Sequence, residues 1–143
     1  MKDSTQNGVN LIARVLLAHI FLLAGINKIS GYAGTQGYME SMGVPGALLP
    51  LVILLEVGGG LALIAGFQTR IVAGALALFC LATAVLFHTN FADQTQMIMF
   101  MKNLTMAGGL LMVVAYGAGA LSVDAKFGQR RERTGATSEL KQA

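Results

Sequence analysis

Residues 50–67, PLVILLEVGGGLALIAGF, decide how the whole chain is read. The stretch is apolar throughout except for one carboxylate, Glu56, with Gly58, Gly59 and Gly60 just behind it. Eighteen helical residues extend about 27 Å, close to the thickness of a bilayer's hydrocarbon core. A lone ionisable group at that depth is costly and is expected to face protein, water or a ligand. The glycine run lets another helix approach closely enough to cover it.

Three further apolar stretches accompany this one. The pattern predicts helices over residues 8–29, 47–67, 70–88 and 97–119, with a surface turn at 38–42 in the first connection. The fold class expected is all-α: a polytopic four-transmembrane-helix bundle over residues 1–127. A disordered basic tail is expected over 128–143. The totals agree. The chain has 143 residues, 55% of them hydrophobic and 12% charged, about half the charge of an average soluble domain. That excludes an autonomous soluble enzyme. A single cysteine, Cys80, excludes an internal disulfide and a CxxC redox pair. The net charge of +3 reflects topology rather than nucleic-acid binding, since no basic face is interleaved with aromatic residues. No phosphate loop, dinucleotide fingerprint or zinc motif is present, and the broken first apolar region does not read as a cleaved signal. Lys2, Arg70 and the five cations from Lys126 onward fall on one side of a four-span arrangement. The positive-inside rule then places both termini in the cytoplasm.

The polar residues within the spans are the candidates for function. Counting rise from each span's midpoint puts Glu56 and His19 near the midplane, Arg14 about 6 Å to the cytoplasmic side and Lys102 about 9 Å to the outer side. His88 falls about 12 Å out on the same count and Lys28 near the outer surface. Helical periodicity groups Arg14, Ala18, Phe21, Gly25 and Lys28 on one stripe. A second stripe carries Glu56, Gly59, Gly60 and Leu63. A third carries Arg70, Gly74, Ala77, Leu81, Ala84 and His88. Each mixes small residues with ionisable ones, as an inward-facing surface does. His19 is off-face and reads as a core or interhelical hydrogen bonder. Asp124 reads as a partner for a basic residue at the cytoplasmic surface.

Two readings compete for these groups. In the first, Arg14 and Glu56 form a structural ion pair that fixes helix register, Lys102 snorkels to the interface, and His88 ends a helix. In the second, Glu56, tuned by Arg14, is the floor of an outward-opening pocket that Lys28, His88, Lys102 and Asn103 make electropositive. Such a pocket suits an anion or a polarised carbonyl oxygen and allows proton relay. Metal binding is not expected. A haem between His19 and His88 fails on depth, and Met97, Met99 and Met101 diverge around a helix.

Taken in order, AGINKISG (24–31), YMESMGVP (38–45), LEVGGGLALIAGFQTR (55–70), FHTNF (87–91), FMKNLTMAGG (100–109) and GAGALSVD (117–124) resemble the DoxX family of small four-helix bacterial inner-membrane proteins. Within it the resemblance is to the YphA/YqjF branch, and it covers roughly residues 8–125. It implies an association with quinone-linked redox or stress-detoxification systems. It also marks Arg14, Lys28, Glu56, His88, Lys102, Asn103 and Asp124 as family-like polar positions. The function expected is a subunit or accessory of such a system, binding a small quinone-like or phenolic ligand. The alternatives are a small-solute carrier or exporter and a ligand-free assembly subunit. There is no self-contained catalytic motif and no intrinsic cofactor. Redox activity would come through a quinone or a partner protein. The partners expected are the lipid bilayer, a redox protein and further copies of the chain.

Overall fold

The structure, a computed structural model, describes residues 2–129. They fold as helices, with no strand among the described residues. The elements are α1 (Lys2–Ser30), α2 (Tyr32–Ser41), α3 (Gly46–Ala65), α4 (Thr69–Phe87), α5 (Gln94–Tyr116) and a short α6 over residues 123–129. Four of these, α1, α3, α4 and α5, are long and apolar enough to cross a membrane. The chain is an all-α, four-span bundle. Of the tail expected to be disordered from 128, residues 128 and 129 instead end α6, and the rest lies outside the described residues.

Local chemistry sets the helix ends. Pro50 sits in the first turn of α3, where its missing N–H is no loss. Gly66, at φ 70°, stops α3 in the left-handed region that glycine enters without strain. Asp93 begins α5 by accepting from Thr95 N at 2.8 Å, a helix N-cap. Gly117, at φ 78°, ends α5 before residue 119, so the last span is shifted toward the N-terminus of the 97–119 expected. The first connection is also more ordered than the single turn expected. Ten of its residues form α2, and Gly43 at φ 77° lets the chain turn back into α3.

The core runs through Ala18 and Phe21 of α1, Leu63 of α3, Leu76 and Cys80 of α4, and Leu110 of α5. In lipid, apolar burial alone does not drive helices together, so small residues that permit close packing carry the association. A Cβ placed on Gly25 would lie 2.6 Å from Val57 Cγ2 and 3.2 Å from Glu56 Cβ. One on Gly60 would lie 2.9 Å from Leu22 and 3.3 Å from the Ala18 carbonyl. Gly59 rests against Leu76 of α4. Gly58 differs from its expected role: only Leu54 of its own helix comes within reach. Of the three glycines, Gly59 and Gly60 make the close contacts.

The stripe expected on α1 is the inward one, and so is the stripe on α3. The α4 stripe is rotated. Its buried face follows Thr69, Ala73, Leu76, Ala77, Cys80 and Ala84, while Arg70 and Leu81 are exposed. The small Ala73 and the close-packed Leu76 bring that face toward α3 and α5, turning Arg70 outward.

Candidate functional site

Glu56 lies at the centre of a π-helical turn, Leu54–Gly58, inserted within α3. The wider turn interrupts the regular ladder and is common at functional positions. Glu56 is 4% exposed. Its Oε1 accepts from Lys28 Nζ at 2.9 Å. Its Oε2 is buried and has no hydrogen-bond partner among the described residues. Lys28 lies about 21 Å of helical rise beyond Arg14 on α1, and its long side chain reaches down to the carboxylate.

The expected ion pair between Arg14 and Glu56 is therefore not formed. Arg14 is completely buried, but at the opposite end of the bundle. Its Nη1 donates to the Leu63 and Ile64 carbonyls, both at 2.9 Å, and its Nη2 to the Leu121 carbonyl. Those acceptors include last-turn carbonyls of α3, which lack helical partners and attract a cation. The depth count put Arg14 within reach of Glu56, but its long side chain carries the guanidinium to the last turn of α3 instead.

Asp124 is also reassigned. Among the described residues it makes no direct ion pair. Its carboxylate accepts from Gln68 N at 2.8 Å, Thr69 N at 2.9 Å and Thr69 Oγ1 at 2.7 Å, capping α4 from across the chain. Burial alone would raise the Asp124 pKa. The hydrogen bonds from Thr69 and Gln68, with the field of Arg14, outweigh it and hold the carboxyl below its ordinary value.

Above Glu56 is a cavity of about 340 Å³, within the range of small-molecule sites. Lys28 and Glu56 form its polar floor. Phe79 and Thr83 of α4 and Val52 of α3 line its walls, and Tyr38 of α2 lies across it. Tyr38 stacks on Phe87 with ring centroids 5.6 Å apart, which ties α2 to α4 over the cavity. His88 caps α4 and reaches the rim, where its Nδ1 pairs with Gln96 Oε1 at 2.8 Å.

Three of the predicted residues, Lys28, Glu56 and His88, thus surround one space. Lys102 and Asn103 do not line it. Asn103 is buried but donates to the Met99 carbonyl of its own helix at 2.9 Å. Lys102 is exposed, about 100° around α5 from the buried Asn103, Ala107, Leu110 and Val113 face. His19 is exposed and bonds back to the Leu16 carbonyl, not to another helix. The sequence reading missed α2's contribution, Tyr38 above all, and the aromatic wall at Phe79. The pattern YMES, with a buried Met39, was the available signal that 32–41 packs inward rather than loops through water.

Comparison with known proteins adds the following. The sequence model of the DoxX family matches residues 9–89. The chain is similar to "Inner membrane protein YqjF" of Escherichia coli (strain K12), 57% identical over 124 residues, covering 87% of this chain and 95% of that one. It is similar to "Inner membrane protein YphA" of the same organism, 37% identical over 121 residues, covering 80% and 86%. A third match, "Putative oxidoreductase CatD" of Bacillus subtilis (strain 168), is 33% identical over 78 residues, covering 54% and 58%. No solved structure matches.

Proposed function

The chain belongs to the DoxX family, and from that premise we propose that it is an inner-membrane accessory of a quinone-linked redox or detoxification system. It binds a small quinone-like or phenolic ligand over the Lys28–Glu56 pair. Both termini face the cytoplasm, so the cavity opens toward the opposite side. The inner-membrane assignment draws on the names of the two Escherichia coli relatives. The redox association draws on the name of the Bacillus protein.

The observation that carries the ligand reading is the buried Glu56 Oε2 without a partner at the floor of a mainly apolar cavity. A buried carboxylate oxygen left unsatisfied is costly. A flat apolar ring with a hydroxyl satisfies it while its body fills the space between Phe79, Val52 and Tyr38. Lys28 Nζ has donors beyond the one given to Glu56 and serves a second ligand oxygen. No redox centre belongs to these residues. Their work is to hold the ligand, orient its oxygens and keep a proton acceptor beside them.

The test is thermal unfolding of purified protein with matched reduced and oxidised quinone analogues. The hydroxyl-bearing form is expected to raise the melting temperature more than the oxidised form, because Oε2 accepts and does not donate. Glu56→Gln is expected to erase that difference. An unchanged melting temperature with every analogue, in wild type and variant alike, would sink the proposal.

A further inference from the structure

The bundle has a second cleft, at the end that carries the chain termini. Helices α1 and α5 touch where Leu17 meets Gly109: a Cβ on Gly109 would lie 3.0 Å from Leu17 Cδ2. From there they separate toward Asn7 and Tyr116 and leave a wedge of about 740 Å³. Exposed Val9, Met112 and Tyr116 flank it, so it opens on the face that lipid covers.

The wedge has a polarity gradient. Gln6, Asn7 and Asn10 occupy the open end, and Ala13, Leu17 and Val113 the closed one. Asn7 to Leu17 spans about 15 Å of helical rise. Arg14 forms part of the floor between the two zones. Its terminal nitrogens are spent on neutral carbonyls, and its Nε is buried without an acceptor. The nearby Asp124 carboxylate, hydrogen-bonded to Gln68 and Thr69, keeps its charge and offsets part of the field of Arg14. Among the described residues, the ion pair found is Lys28–Glu56, at the other end. A second cation, Arg70, packs on Gly117 at the cleft's edge. Arg14 is level with the last turn of α3, which is where the spans end and headgroups begin.

We propose that this cleft is a binding site for an anionic phospholipid. Its phosphate lies at the mouth near Asn7, Asn10 and Tyr116, in the positive field of Arg14 and Arg70. One acyl chain runs into the wedge toward Leu17 and Gly109. A zwitterionic headgroup brings its own cation against the two guanidinium groups and is disfavoured there. The site is separate from the Glu56 cavity, and its test does not depend on that cavity's ligand.

The test is native mass spectrometry of the full-length protein with phosphatidylglycerol or phosphatidylethanolamine of matched chains, together with thermal unfolding in each lipid. The protein is expected to retain one phosphatidylglycerol at least tenfold more strongly and to melt several degrees higher with it. Asn10→Leu and Ala13→Phe, one removing the polar mouth and the other filling the wedge, are each expected to abolish that preference. The two variants check one another if either folds poorly. Equal retention of the two lipids overturns the proposal. So does an undiminished preference in a folded variant, or an equal thermal shift from glycerol phosphate alone. Cross-linking of two copies through cysteines placed at Val9 and Met112, undiminished by added phosphatidylglycerol, assigns the cleft to a dimer and also overturns it.

Discussion

At the scale of single residues, one cation serves each end of the bundle. Lys28 neutralises Glu56, while Arg14 ties α1 to the last turn of α3 and to the segment between α5 and α6 through three carbonyls. Removing one member of a buried pair strands the other charge and costs about 3–5 kcal/mol. Lys28→Met is therefore expected to lower stability by up to that amount, reduced because the Lys28 side chain is 26% exposed. Lys28→Met with Glu56→Gln is expected to recover most of the loss, and a double-mutant cycle of unfolding in detergent measures the coupling. Exchanging charges between Arg14 and Glu56 is expected to rescue nothing, because these residues do not pair. Rescue by the Arg14→Glu, Glu56→Arg double variant, in the same unfolding assay, would contradict the geometry.

At the scale of elements, the α1–α3 contact and the cap on α4 make separate demands. Gly25→Ala drives a methyl into Val57 and the α3 backbone and is expected to cost about 1–3 kcal/mol, the usual penalty for overpacking. Gly58→Ala meets only its own helix and is expected to be neutral or to stabilise by up to about 1 kcal/mol, through reduced unfolded-state entropy. Measured side by side, the two separate close packing from mere membership of a glycine run. Asp124→Asn weakens the cap and is expected to cost about 1 kcal/mol. Because the folded Asp124 carboxyl titrates below its ordinary value, its stabilisation is complete above the unfolded pKa of about 3.9. It is lost as pH falls through the lower folded value. Melting curves taken between neutral pH and about pH 3 should show a wild-type decline that is smaller in Asp124→Asn.

At the scale of the whole molecule, an even number of spans returns the chain to the side it starts from, where Arg70 in the first turn of α4 also lies. A fluorescent reporter fused after the last residue is expected to fold in the cytoplasm, and one inserted in the 89–93 loop is not. The reverse result would invert the proposed topology. The same arrangement divides the molecule's chemistry. The end carrying α2 holds the cavity over Glu56, and the other end is tied by Arg14 and Asp124 around the α1–α5 cleft.

The amino-acid sequence by itself determined the class of the protein, its four spans and the inward faces of α1 and α3. Apolar length and helical period are local properties, and lipid leaves helices as the way for these segments to satisfy their backbone. It also marked Glu56 as a covered carboxylate. Tertiary structure alone decided which cation meets it. The side chains of Lys28 and Arg14 reach far enough to blur any depth estimate counted along the axis. The same holds for the cavity: Tyr38 of α2 stacks on Phe87 of α4 over it, a contact between residues with no local pattern linking them.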